Sequence, residues 1–278
     1  MRKLGVALVA VVLAAGVPGS AVAGNSGQAF LGDLNNDGRA DRVTLGPVGS
    51  SPTCTLTVEY RRANGAFRPA VTHTYTSPVT HAPYCPNMGE VVNLGGNRVA
   101  EIVAANFSSY SPGRDLLVLR RFQPVAQLEG ISFPSTLRKV DFNGDGLEDI
   151  WQSSDQVVQL KSWLNTPAGT LVPGPIDVCS SAPIPQHAFA DFDGDGGQDM
   201  LLSRRCEFSY TTAELHFGGG GAPVVFGRTP HTSTTYEVFV TDLDNDQVPD
   251  VGVIERAGGT VTVRHFHNDG TGAFTERV

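Results

Sequence analysis

The chain has 278 residues and a formal net charge of −8, and only 17% of its residues are charged. An acidic chain without basic clusters lacks the positive surface that nucleic-acid-binding proteins need, so this class is excluded. Valine and threonine recur in short runs between glycine-rich and proline-rich turns, without helical periodicity, which predicts an all-β fold of many short strands.

The first 23 residues have the pattern of a secretory signal peptide. A basic start precedes an almost wholly apolar stretch from Leu4 to Val17, and the small residues Ala21-Val22-Ala23 follow. The apolar stretch is too short to span a bilayer, which favours a cleaved signal over the alternative, an N-terminal membrane anchor. We therefore expect residues 1–23 to be removed and residues 24–278 to form a secreted domain, extracellular or periplasmic, with no transmembrane segment after cleavage.

The four cysteines predict two disulfides in an exported chain. Three pairings are open, and sequence alone does not choose among them. In a repeat protein each unit contacts its neighbours, so local pairs are favoured, namely Cys54 with Cys85 and Cys179 with Cys206.

An aspartate-rich pattern of nine residues recurs five times, starting at positions 33, 93, 141, 191 and 242. We number these segments loops 1 to 5 in chain order. Loops 1, 3, 4 and 5 carry Asp or Asn side chains at positions 1, 3, 5 and 9. Loop 2 (93–101) is a decayed copy in which Glu101 is the one remaining carboxylate.

The segments around the loops repeat as well. An apolar run precedes each loop, a second follows it, a third strand-like segment comes next, and several units close with a glycine-rich turn and a last short run. Each unit therefore has about four short strands, the size of one β-propeller blade. The predicted fold is a β-propeller of five four-stranded blades, with the loops between first and second strands. The approximate repeats are 28–75, 90–128, 138–177, 187–229 and 237–278. A closed ring is favoured, and an open arc that needs a partner at its ends is the alternative.

Loops 1, 3, 4 and 5 have the chemistry of a calcium site. Calcium takes six to eight oxygen ligands and tolerates irregular geometry, and the glycine at position 6 of loops 1, 3 and 4 permits a sharp turn. Loop 5 has Gln247 at this position, which predicts strain if the backbone there is left-handed. The loops lack the glutamate at position 12 of an EF-hand, and strands flank them. The alternative is that Asp, Asn and Gly simply make polar turns.

The pattern D-x-[DN]-x-D-G-x-x-D between two strands resembles the FG-GAP and VCBS repeats of bacterial exported proteins and the N-terminal propeller of integrin α subunits. The resemblance covers about Gln28 to Val278, and it implies that side chains at positions 1, 3, 5 and 9 and the carbonyl at position 7 bind calcium. The implied ligands are Asp33, Asn35, Asp37, Arg39 carbonyl and Asp41 in loop 1; Asp141, Asn143, Asp145, Leu147 carbonyl and Asp149 in loop 3; Asp191, Asp193, Asp195, Gly197 carbonyl and Asp199 in loop 4; and Asp242, Asp244, Asp246, Val248 carbonyl and Asp250 in loop 5.

We therefore expect about four Ca²⁺ ions in a structural role. Without a cation, three or four carboxylates in one loop repel one another. Loop 2 is expected to bind no ion, or to bind one weakly.

The whole chain is interpreted as a non-enzymatic binding or adhesion module for an extracellular carbohydrate, matrix or protein ligand. The connection from Thr72 to Gly89 and the loop from Asn106 to Arg114 carry Tyr75, Tyr84 and Tyr110, and such aromatics suit sugar or protein contact. The competing interpretation is that these tyrosines pack loops onto the fold.

A secreted hydrolase or lyase that acts on polysaccharide is the alternative function. The sequence contains no G-x-S-x-G, H-E-x-x-H or P-loop motif, and the repeat accounts for most of its carboxylates, so no catalytic residue is predicted. His265 and His267 share one face of a strand, where a metal-ligand role competes with that of an ordinary exposed histidine.

Overall fold

The computed structural model describes residues 29–46, 51–82, 84–97, 99–106, 116–154, 159–179, 181–206, 210–230 and 234–277. Within them, twenty strands form five four-stranded sheets. No helix in these ranges is long and apolar enough to cross a bilayer. The helical structure of these ranges is a short 3₁₀ turn at Leu94–Gly96.

The strands of the first two sheets flank loops 1 and 2. Sheet 1 comprises β1 (Ala29–Gly32), β2 (Asp41–Leu45), β3 (Thr53–Glu59) and β4 (Val71–Thr76). Sheet 2 comprises β5 (Met88–Val92), β6 (Glu101–Ala105), β7 (Leu116–Arg120) and β8 (Gln123–Leu128).

The remaining three sheets have the same plan around loops 3 to 5. Sheet 3 comprises β9 (Thr136–Val140), β10 (Asp149–Ser154), β11 (Gln159–Asn165) and β12 (Leu171–Cys179). Sheet 4 comprises β13 (Ser181–Ala190), β14 (Asp199–Cys206), β15 (Tyr210–His216) and β16 (Val224–Pro230). Sheet 5 comprises β17 (Thr235–Thr241), β18 (Asp250–Ala257), β19 (Thr260–Asn268) and β20 (Phe274–Arg277).

Every sheet is an antiparallel meander in which sequential strands pair, as in a propeller blade. In all five sheets the numbered loop joins the first strand to the second, and position 9 of the loop is the first residue of the second strand. The predicted all-β fold of five four-stranded units is confirmed.

The core lies between the sheets, in four hydrophobic clusters. Each cluster is shared by two consecutive sheets, and within the described ranges none joins sheet 5 to sheet 1. Strands β6 and β10 are buried at every position because their sheets are covered on both faces. Trp151 of β10 is 2% exposed and belongs to the cluster between sheets 3 and 4, as expected for a core residue.

The outer faces of sheets 1 and 5 are less covered. In β2, buried Val43 and Leu45 alternate with half-buried Arg42 and Thr44, so one face of sheet 1 is polar. On sheet 5, Val261 and Val263 are 55% and 51% exposed and point away from sheet 4. The closed ring therefore stays a prediction, with the open arc as its alternative.

The predicted connection from Thr72 to Gly89 is wrong at both ends. Residues Val71–Thr76 form β4, because alternating threonine, histidine and tyrosine side chains fit the edge of a sheet, and β5 begins at Met88. Tyr75 is 4% exposed and packs in the core, and Tyr84 packs against the same cluster. Tyr110 and most of the loop from Asn106 to Arg114 lie outside the described residues.

Two disulfides link Cys54 to Cys85 and Cys179 to Cys206, which is the local pairing favoured from the sequence. The first ties β3 to the segment before β5, and both of its cysteines are buried. The second ties β12 of sheet 3 to β14 of sheet 4.

Candidate metal sites

The four aspartate-rich loops share a backbone with two left-handed residues. Position 4 has a positive φ in each of them, between 56° and 76° (Asn36, Gly144, Gly194 and Asn245). Position 6 also has a positive φ, between 72° and 90° (Gly38, Gly146, Gly196 and Gln247). The left-handed residues coil the loop, so that its alternate side chains point to one side. The strain expected at Gln247 is confirmed, since its φ is 72°.

Backbone N–H groups hold the carboxylates in place. The carboxylate at position 1 accepts a hydrogen bond from the N–H of position 6 in all four loops (Gly38 to Asp33 2.7 Å, Gly146 to Asp141 2.9 Å, Gly196 to Asp191 3.0 Å and Gln247 to Asp242 3.1 Å). The carboxylate at position 5 accepts one from position 7 (Arg39 to Asp37 3.0 Å, Leu147 to Asp145 2.8 Å, Gly197 to Asp195 2.7 Å and Val248 to Asp246 2.8 Å). Each carboxylate oxygen retains a second lone pair for a cation.

The aspartate at position 9 has a different environment, because it is fully buried in every one of these loops. One of its oxygens accepts the N–H of position 2 (Leu34 to Asp41 3.1 Å, Phe142 to Asp149 2.8 Å, Phe192 to Asp199 2.8 Å and Leu243 to Asp250 2.7 Å). The other accepts an N–H just beyond or at the end of the third strand (Arg61 to Asp41 2.8 Å, Asn165 to Asp149 2.7 Å, Gly218 to Asp199 2.9 Å and Asn268 to Asp250 2.7 Å). The carboxylate at position 9 therefore links its loop to the end of the third strand of the same sheet.

In loops 3 and 4, burial makes the carboxylate at position 9 costly to ionise in the absence of a cation. Desolvation is the main cause that raises the pKa of Asp149 to about 6, and the neighbouring carboxylates of Asp145 and Asp141 raise it further. The pKa of Asp199 rises to about 6 for the same reasons, beside Asp193 and Asp195. A divalent cation would reverse this effect, because it favours the charged form.

Donor atoms converge in loops 4 and 5. In loop 4, Asp191, Asp193 and Asp199 each offer a ligand atom within 4.8 Å of the others, and in loop 5 Asp242, Asp244 and Asp246 do so. In loop 3, the buried Oδ1 of Asp141 has no hydrogen-bond partner among the described residues. An unpaired buried carboxylate oxygen beside other oxygen donors fits a hard cation such as calcium.

His267 of β19, for which a metal-ligand role was one of two interpretations, lies beside loop 5 but was not in its implied ligand set. Nδ1 of His267 lies 3.3 Å from Oδ2 of Asp244 and 3.3 Å from Oδ1 of Asp250. Its side chain is 19% exposed, so the interpretation as an ordinary exposed strand histidine is wrong. The register between strands explains the approach, because Val251 and Phe266, the residues next to Asp250 and His267, pair across β18 and β19. His265 packs edge-on against Phe239, away from the loop.

Loop 2 keeps the frame of the other loops with a different charge arrangement. Glu101 at position 9 is fully buried, and its Oε2 accepts the N–H of Leu94 at 3.0 Å, as the aspartates do. Its Oε1 lies 2.6 Å from Nε of Arg120, which is directly opposite on β7. A guanidinium of the chain thus neutralises the acid of loop 2, which supports the prediction that this loop binds no ion or binds one weakly.

The loops also join neighbouring sheets. Nδ2 of Asn165 in sheet 3 donates to the carbonyl of Asn93 in loop 2 at 3.0 Å, and Nδ2 of Asn268 in sheet 5 donates to the carbonyl of Phe192 in loop 4 at 2.7 Å. The N–H of Gln198 in loop 4 donates to the carbonyl of Asp141 in loop 3 at 2.8 Å. An ion in one of these loops would therefore stabilise a contact between two sheets.

Residues 141–202 match the family described as FG-GAP-like repeat. This segment runs from the start of loop 3, through loop 4, into β14, so it contains two of the aspartate-rich loops. The predicted resemblance to FG-GAP repeats is confirmed over this segment. A search of curated proteins found no match.

Several solved structures are similar to the chain at low sequence identity. A lectin from Agrocybe aegerita, described as recognising non-reducing terminal N-acetylglucosamine, is 16% identical with a TM-score of 0.47; the match covers 91% of this chain and 66% of the lectin. AofleA from Arthrobotrys oligospora is 13% identical with a TM-score of 0.36, and the match covers 93% and 75% of the two chains. A Photorhabdus luminescens Tc holotoxin pore is 17% identical with a TM-score of 0.36, and this chain spans 12% of its length.

Proposed function

We propose that the protein is a secreted calcium-binding repeat protein, in which about four Ca²⁺ ions hold the sheets together and the assembled sheets serve as a non-enzymatic binding module. The observation that carries the proposal is the common geometry of loops 1, 3, 4 and 5. Each loop carries three or four carboxylates on a coiled backbone, and in loops 4 and 5 three of them converge. The donor set consists almost wholly of hard oxygen atoms, which calcium prefers.

The structural role of the ion follows from where the carboxylates lie. The residue at position 9 bonds to the N–H groups of its own loop and of the third strand, and neighbours of the loops bond across to the next sheet. A cation bound by the other carboxylates would fix the loop against this buried acid. The pattern of positions 1–23 and the two disulfides support export, where millimolar calcium suits modules of this type.

The binding role is the part of the proposal that names a partner class, an extracellular carbohydrate, matrix or protein ligand. It is supported by the structural use of the carboxylates. The repeat loops and the ion pairs between strands account for most of them, so few remain for a catalytic role. A binding role without catalysis also agrees with the structural roles of the loops and disulfides described above.

Thermal unfolding with calcium and with chelator tests the proposal. An ion that binds the native state alone at 100 times its Kd stabilises that state by about 2.7 kcal/mol per site. We expect the Tm to fall in excess chelator, to recover with calcium, and to recover less with the same concentration of magnesium, which demands a more regular octahedral site. Native mass spectrometry should count four ions. An unchanged Tm in excess chelator would overturn the calcium role.

A further inference from the structure

The contact between sheets 1 and 2 differs from the three other contacts between consecutive sheets. The difference lies in the turn between the third and fourth strands of the later sheet. In sheets 3, 4 and 5 this turn has five to seven residues, and it packs on the preceding loop through Asn165, Gly218 and Asn268. In sheet 2 the turn is only Arg121-Phe122, because β7 ends at Arg120 and β8 begins at Gln123. The shortened turn leaves a space beside loop 1.

That space is a cleft of about 200 Å³. Apolar side chains from both sheets form most of its wall, with Tyr60 and Arg121 as its polar groups; the lining residues are Leu34, Tyr60, Val99, Ala100, Ile102, Leu119, Arg121 and Phe122. A mainly apolar cleft with a few convergent polar groups is the usual form of a small-ligand site.

The two polar groups of the cleft are not used by the fold. Arg121 is exposed and makes no ion pair with the described residues, whereas its neighbour Arg120 is paired with Glu101. The hydroxyl of Tyr60 likewise makes no hydrogen bond in the described part of the chain. Among the described residues, no hydrogen-bond or ion-pair partner competes with a ligand for these two groups.

The turn that presents Arg121 is held in an unfavourable conformation. Arg121 and Phe122 have φ values of 50° and 66°, where residues other than glycine are strained by about 1 kcal/mol or more each. Contacts across the two sheets hold the turn. The ring of Phe122 stacks on His73 with centroids 4.0 Å apart, and Nε2 of Gln123 donates to the carbonyl of Thr74 at 3.1 Å. These contacts fix the backbone of the turn from which the side chain of Arg121 extends.

We infer that this cleft binds a small carboxylate with an apolar body, such as an arylalkanoic acid. The apolar wall of Leu34, Ile102 and Leu119 would bury the body, and the fork of Arg121 would pair with the carboxylate in a bidentate arrangement. A phosphate dianion fits less well, because the acidic loop 1 lies next to the cleft. The inference rests on the proposed binding role and gives it a place and a ligand class.

Ligand-observed NMR with phenylacetate tests the inference, with phenylacetamide and glucuronate as comparison probes. Excess calcium is present throughout, and the calcium-dependent Tm is recorded for every variant, so that failure of the calcium role is scored separately. Wild type should bind phenylacetate saturably, at least tenfold more tightly than phenylacetamide or glucuronate.

The variants locate the site. Arg121→Asn keeps a residue that tolerates positive φ and removes the guanidinium, so phenylacetate affinity should fall about tenfold and the preference over phenylacetamide should disappear. Arg121→Lys should retain part of the affinity. Ala100→Leu narrows the cleft and should weaken all probes. Arg62→Asn is the matched control, since Arg62 is exposed, lies in the neighbouring turn and does not line the cleft.

Three results would overturn the inference. They are the absence of saturable phenylacetate binding to folded wild type, equal losses in Arg121→Asn and Arg62→Asn, and tighter binding of glucuronate than of phenylacetate. The last result would assign the cleft to an acidic sugar.

Discussion

Loops 2 and 4 have the same position in their sheets, yet their buried acids have different partners. In both loops the acid at position 9 accepts the N–H of position 2, from Leu94 to Glu101 at 3.0 Å and from Phe192 to Asp199 at 2.8 Å. In loop 2 the remaining charge is met by Arg120 of the adjacent strand. In loop 4 three further aspartates surround the site, and no cationic side chain pairs with them in the described ranges. An internal guanidinium thus compensates the buried acid of loop 2, and we propose that an external ion does so in loop 4.

The largest effect on stability is expected from Glu101→Gln, which tests whether Arg120 or an ion compensates the buried acid of loop 2. The variant leaves Arg120 without its partner and replaces a fully buried carboxylate, so it should lower the free energy of unfolding by about 3 kcal/mol. Because no ion is involved, the loss should be equal in calcium and in chelator when measured by urea unfolding. Glu59→Gln is the control, since the Arg42–Glu59 pair is solvent-screened and should contribute much less to the free energy of unfolding. A loss that depends on calcium would show that loop 2 holds an ion after all.

A smaller loss of stability, seen only when calcium is present, is expected from Asp195→Asn in loop 4. The amide keeps an oxygen to accept the N–H of Gly197 but removes one charged ligand. The free energy of unfolding should fall by about 2 kcal/mol in saturating calcium, most of the linkage of one site, and should stay unchanged or rise slightly in chelator. Rising stability in chelator would reflect relief of repulsion among the carboxylates.

Asp193→Asn is the matched control in the same loop. Loops 1 and 3 carry Asn35 and Asn143 at this position, so the amide is compatible with the frame. We expect Asp193→Asn to lose less than half of the calcium-dependent stability lost by Asp195→Asn. Equal losses in calcium and in chelator for both variants would mean that the loop aspartates act only as turn formers.

Much of this comparison could be predicted from the sequence, because it depends on local spacing. The nine-residue pattern and the apolar runs around it gave the loops, the four-stranded units and the strain at Gln247. The partners of the loops depend on register between strands. Arg120 lies opposite Glu101, and His267 lies beside Asp250, although each pair is separated by nearly twenty residues of chain. The cleft was also missed, because it arises where a two-residue turn replaces the longer turns of the other sheets.

The smallest effect is expected from Gln247→Gly in loop 5, which restores the residue that loops 1, 3 and 4 have at position 6. Gln247 has a φ of 72°, and its N–H donates to Asp242 at 3.1 Å. Glycine relieves the left-handed strain and keeps this hydrogen bond, but it adds flexibility to the unfolded chain. The net gain should be about 0.5–1 kcal/mol in the free energy of unfolding, with and without calcium.

The control for this gain is Gln198→Gly in loop 4, because Gln198 is not among the residues with positive φ. There the substitution relieves no strain, so only the entropy of the unfolded chain changes, and stability should fall by about 0.5–1 kcal/mol. The opposite signs at two glutamines in equivalent loops would locate the strain in the backbone at position 6. If both substitutions destabilised the protein, the side chain of Gln247 would have to contribute contacts that outweigh its strain, and loop 5 would have to be treated as a site adapted around glutamine and His267.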